Sequence, residues 1–221
     1  MDTIRYDLKT LNRQFQLASK QKTAAAVYAL AKSAVVLVQK TSVTKTLVQE
    51  ATNQLTAISR SVETYRSEMN KLASQLPEYP VVMEMYGVGD SFGPQLMAEI
   101  GDVRRFERKQ SLVAFAGVDP APSESGDYRP RSNRTTKRGS PYLRKTLFNI
   151  MTVHLQRAPA DEPVFQFLDR KRAEGKPYYV YMTAAGNKFL RRYYGKVMAY
   201  FSTLEELPPV DMDSTGLQHT D

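Results

Sequence analysis

Between residues 123 and 145 the chain combines serine hydroxyls with a dense run of cations. Ser123, Ser125, Ser132 and Ser140 stand among Arg129, Arg131, Arg134, Lys137, Arg138, Arg144 and Lys145, with no acidic residue between Arg129 and Lys145. Breaking a DNA strand without a metal needs a nucleophile for phosphorus, cations to hold the charge of the transition state, and removal of a hydroxyl proton. Ser125 is followed by Gly126 within the loop Pro122 to Tyr128, so its hydroxyl can reach into a bound backbone. Ser140 precedes Pro141, which is the order of an N-cap followed by a first helical residue, and as a cap it would be structural. The cations suit phosphates, and each phosphate neutralised adds to the salt dependence of binding. The plain alternative for the basic run is a solvated loop.

The elements that must carry these residues read as helices. Leu8, Leu11, Phe15 and Ala18 recur at steps of three and four, so residues 1–40 are expected to be helical, although Val35 to Val38 could form a short strand. After a break near Thr41 to Thr44, Val48, Ala51, Leu55, Ile58, Val62, Tyr65, Met69, Leu72 and Leu76 form a heptad seam. Such a seam makes a coiled coil that pairs subunits or folds back on the first helix, or a long amphipathic helix inside a bundle. Pro77 and Pro80 end it. The turn Gly87-Val88-Gly89 leads into a helix expected from Ser91 to Ile100, capped by Asp90 or Ser91 and stopped by Gly101. Two short helices around Gly-x-Gly form a helix-hairpin-helix pattern. Its glycines, Gly87 and Gly89, let the backbone come close to a phosphate; a tight turn between core helices is the other reading. Further helices are expected over Lys109 to Ala116, Pro141 to Gln156, Asp161 to Ala173 and Tyr181 to Phe201. The last groups Lys188, Arg191, Arg192 and Lys196 with Tyr193 and Tyr194, which either stack on bases or form core rim. The fold class is therefore mainly α. The expected divisions are 1–43 helical, 44–76 coiled coil, 77–207 compact domain and 208–221 a disordered acidic tail.

Composition narrows the partners. A chain of 221 residues with 42% hydrophobic content can build a packed core. A formal charge of +8 commonly marks a nucleic-acid partner, the plain alternative being a merely soluble basic protein. The chain contains no cysteine, so no disulfide or thiolate metal site is expected, which fits a reducing cytoplasm. His154 and His219 lie far apart and suggest no metal site. No apolar stretch is long enough to cross a bilayer, and no membrane partner is expected.

Read in order, these words resemble a family. Gly87-Val88-Gly89, Glu99-Ile100-Gly101-Asp102, Ala116-Gly117-Val118-Asp119-Pro120, Ser125-Gly126, Lys137-Arg138-Gly139 and Leu143-Arg144 are similar to the C-terminal transposase domain of bacterial insertion-sequence transposases. Those enzymes are related to Piv DNA invertases and guided by a bridge RNA. The resemblance runs roughly from Leu76 to Phe201. It implies DNA recombination through a serine nucleophile in the Ser-Gly word, which Ser125 matches, with Ser123 a near competitor and Ser140 a further alternative. Arg129, Arg131, Arg134, Lys137, Arg138, Arg144 and Lys145 would hold phosphates. DNA, a structured guide RNA and a second copy through the coiled coil would be the partners. The family also carries a RuvC-like domain whose four acidic residues bind divalent metal. Residues 1–75 pattern as helices, and Asp2, Asp7, Glu50 and Glu63 have no strand around them. The RuvC-like half is thus expected to be missing here, with Mg2+ belonging to that half and no cofactor to this chain. Because the family uses both halves together, a non-catalytic DNA- or RNA-binding module and a dimerisation fragment remain the rivals.

Overall fold

The computed structural model describes residues 3–34, 42–119, 135 and 137–206. The described residues form eight α-helices and one 3-10 turn, with no β-strand among them. Helix α1 spans Thr3–Ala34 and α2 spans Ser42–Ala73, and the two pack along one another as a helical hairpin. Leu8, Phe15 and Ala18 of α1 are buried, as the three-and-four spacing requires. The α2 seam is covered progressively. Val62 and Met69 are buried and Ile58, Tyr65 and Leu72 half-buried, whereas Val48 is 48% exposed.

Helix α3, Tyr79–Met83, begins with Pro80 in its first turn, where a missing N–H removes no helical bond. Helix α4, Gly89–Ile100, is the centre of the molecule, with every residue from Gly93 to Ile100 buried. It starts at Gly89 with Val88 in the cap position and no side-chain cap bond, not at Ser91 behind Asp90 or Ser91. Asp90 instead sits in the first turn, where its charge complements the helix dipole. Pro94 lies inside α4 and cannot donate to the Asp90 carbonyl. Asn70 Nδ2 of α2 donates to that oxygen in its place, at 3.1 Å. Gly101, at φ 67°, stops the helix as expected.

The 3-10 turn Val103–Arg105 is capped by Asp102, whose carboxyl accepts from Arg104 N. The Arg104 side chain beside it holds the Asp102 carboxyl below its ordinary value. Helix α5 spans Lys109–Ala116, α6 Pro141–Arg157, α7 Pro163–Ala173 and α8 Tyr178–Glu206. The last begins three residues earlier than the sequence suggested, directly behind Pro177, and runs five further. Val35 to Val38 and the tail from Pro208 lie outside the described residues. No described helix is long and apolar enough to cross a membrane.

Candidate nucleic-acid interface

The base of the serine-bearing loop is built from two glycines. Gly117 takes a left-handed conformation, φ 64°, at the end of α5, and its N–H donates to Ala114 O. The chain returns beside it. Lys137 N donates to Gly117 O at 3.3 Å, and Ser140 N donates to Phe115 O at 3.1 Å. A Cβ on Gly139 would lie 1.7 Å from Phe115 O, so only glycine permits this crossing. Arg144 straps both sides, with Nη1 donating to Ala116 O at 3.2 Å and to Gly139 O at 2.9 Å. Burial draws the guanidinium below its ordinary value, yet it stays charged. Departing and returning strands are thereby pinned together. Ser123, Ser125, Arg129, Arg131 and Arg134, which lie between them in sequence, are outside the described residues.

Ser140 is the N-cap of α6, accepting from Leu143 N at 3.2 Å. Its hydroxyl also donates to Glu99 Oε2 at 2.7 Å. Glu99 is buried in α4 and accepts two more bonds from α1, from Asn12 Nδ2 at 2.8 Å and Arg13 Nη2 at 3.0 Å. Arg13 in turn lies 3.9 Å over the Tyr142 ring. One turn along, Gln95 Oε1 accepts from Gln16 Nε2 at 2.7 Å and from Thr146 Oγ1 at 3.1 Å. A hydroxyl on a carboxylate is the geometry of a general base and its nucleophile, but this oxygen also receives the cap bond. What the arrangement does chemically is fix the start of α6, and with it the returning strand, against α4 and α1. Sequence reasoning recorded Glu99 only as part of a motif. Its signal was a carboxylate between Ala98 and Ile100, in the otherwise buried last turn of α4.

The candidate phosphate contacts divide into groups. Lys137 and Arg138 are exposed at the loop base, with Lys137 at φ 52°. Lys145 is exposed one turn into α6 but donates to Gln16 Oε1 at 2.7 Å. Arg144 is turned onto the chain's own carbonyls. Gly87 and Gly89 are elsewhere. A Cβ on Gly87, φ 79°, would lie 3.1 Å from the His154 ring, while Gly89, φ 50°, faces open space. His154 is fourteen residues beyond Ser140 on α6, about 21 Å along the axis. The glycine turn and the basic strip therefore stand at opposite ends of one helix.

His154 is buried, with Nδ1 2.9 Å from Ile150 O and its ring edge-on to Tyr86. Tyr86, Glu162, Arg192 and Lys196 border a cleft of about 370 Å3 there. Of the two readings of the tyrosines beside the α8 cations, packing rather than base stacking describes both. Tyr193 is fully buried, and burial pushes its hydroxyl well above the ordinary value, so it cannot stack on a base. Tyr194 is half-buried and donates to Phe106 O at 3.0 Å.

Comparison with known proteins falls on this same segment. No curated protein matches the chain. Residues 79–166, from α3 through the loop base to the first turn of α7, match the family model described as Transposase IS116/IS110/IS902 family. Over the helices that build the loop base, the chain is thus similar to insertion-sequence transposases.

Proposed function

We propose that the chain takes part in DNA transposition, breaking and rejoining strands with Ser125 as nucleophile. The Ser125 hydroxyl gives up its proton and its oxygen bonds to phosphorus. The bond from phosphorus to one sugar oxygen breaks, and that oxygen takes up a proton. The phosphoserine keeps the energy of the broken ester, so the reverse step reseals a strand. The observation that supports this reading is the pinned loop base. It lies inside the matched segment and places exposed Lys137 and Arg138 at the return of the very loop that carries Ser125. Cations fixed there would meet the charge of a pentacovalent phosphorus. A structured guide RNA and a second copy of the chain belong to the same proposal. Val48 of α2, which is exposed, would belong to the surface on which copies pair.

The test is a covalent adduct. Labelled DNA carrying the recombination site, incubated with a reconstituted recombinase and denatured, should yield a protein–DNA adduct. Ser125→Ala should abolish it and leave DNA binding unchanged. An adduct that survives in Ser125→Ala and disappears in Ser140→Ala would move the role to Ser140. Binding with no adduct under any condition would favour a non-catalytic module.

A further inference from the structure

The turn between α7 and α8 exposes aromatic rings that a lone folded chain would ordinarily cover. Every residue from Arg172 to Val180 is exposed, including Tyr178 at 45% and Tyr179 at 72%. Their rings form part of a continuous chain. Phe148 of α6 lies 6.3 Å from Tyr179, Tyr179 lies 5.2 Å from Tyr178, and Tyr178 lies 5.5 Å from Tyr181. The two contacts between tyrosines are edge-on, at 82° and 78°, so each contact takes at most one face of one ring and leaves the remaining faces open. The turn that leads into them is basic. Lys171, Arg172 and Lys176 precede Tyr178, with Glu174 the one carboxylate among them, and Lys171 holds it at 2.8 Å. Lys176 N also donates to Lys171 O, which keeps both lysines at the turn.

We propose that this surface is a stacking platform for single-stranded nucleic acid, with bases on Tyr178 and Tyr179 and the sugar-phosphate chain along Lys171, Arg172 and Lys176. Free aromatic faces beside a cationic track are what unpaired bases require, whereas paired bases in a duplex offer no face to them. Cations around exposed rings oppose an apolar protein partner, which would have to bury those charges. Position adds to the argument. Phe148 is eight residues past Ser140 on α6, about 12 Å along the axis, so a strand opened at the loop base would pass the platform within a few nucleotides. The inference rests on the nucleic-acid reading above, though not on Ser125 being the nucleophile.

Fluorescence anisotropy with labelled poly-dT and poly-dA oligonucleotides, and with a duplex of equal length, tests it. The double substitution Tyr178→Ala and Tyr179→Ala should weaken single-strand binding by about tenfold or more. Duplex binding and the circular dichroism spectrum should stay as in the parent. Tyr178→Phe with Tyr179→Phe should restore the affinity, because the rings remain. Lys171→Gln with Lys176→Gln should instead reduce the salt slope by about 1 to 2. Unchanged single-strand affinity in the folded alanine variant would overturn the platform, and so would equal losses on strand and duplex. A shift in sedimentation with single-strand affinity intact would mark the surface as a protein interface and likewise overturn it. If Ser125→Ala still forms the adduct while the platform variants lose single-strand affinity, the nucleophile assignment fails and the platform stands.

Discussion

Glu99 is the residue on which the loop base depends. Its carboxylate is almost wholly buried and gathers hydroxyl, amide and guanidinium donors from two distant parts of the chain. A buried carboxylate is tolerated only when its oxygens are satisfied in this way. Glu99→Gln puts an amide N–H2 where Arg13 or Ser140 donates, and should lower stability by about 2–3 kcal/mol in urea unfolding. Ser140→Ala should lower it by about 1–2 kcal/mol through loss of the cap. Since the two side chains touch, the double variant should lose less than the sum, by about 1 kcal/mol. Additive losses would show that the contact carries no energy. None of these partnerships could be read from sequence. The bonds to Glu99 join residues 87, 86 and 41 positions apart, and no local pattern encodes which buried donor a carboxylate will meet. The cap role of Ser140 was legible, because it follows from the neighbouring Pro141 alone.

At the level of elements, glycine and proline carried most of the legible information. Lys109–Ala116 has the bounds that Gly117 implies, and α6 starts at Pro141. Boundaries without such punctuation drifted. Helix α4 starts ahead of its expected caps, and α8 extends at both ends, since tyrosine, threonine and leucine continue a helix as readily as they flank one. Periodicity also does not say which way α8 is rotated, and so Tyr193 fell inside while Tyr179 fell outside. The glycines differ in what they do, and substitution should separate them. Gly139→Ala drives a methyl into the Phe115 carbonyl, backbone against backbone, and neither side can yield without opening the loop base. A loss of about 3 kcal/mol or more is expected, in the range of severe overpacking. Gly89→Ala meets no atom within 4 Å and bears only the strain of its positive φ, about 1 kcal/mol. Thermal melts of the two variants check the contrast, and equal losses would mean that the crossing at Gly139 is looser than described.

Over the whole molecule, the hairpin and the helices behind it share one core. Leu8 and Phe15 of α1 and Met69 of α2 belong to the same buried cluster as Leu96, Leu147 and Phe189. A buried ion pair bolts this junction, with Arg5 of α1 against Glu78 at the start of α3. Glu78 also lies close enough to Tyr193 of α8 to raise its hydroxyl further, so three helices meet at one carboxylate. Removing one member of such a pair leaves the other charged and dry, whereas removing both returns an apolar contact. Arg5→Met should therefore lower stability by about 3–5 kcal/mol, and Arg5→Met with Glu78→Leu should recover most of that loss. Because the core is continuous, far-ultraviolet ellipticity and tyrosine fluorescence should report one coincident transition in the parent chain and in the double variant. If Arg5→Met melts like the parent, the pair does not hold the hairpin. If the two probes separate into distinct transitions, α1 and α2 are an independent unit, and the loop base would then keep its anchoring through Glu99 only while that unit is docked.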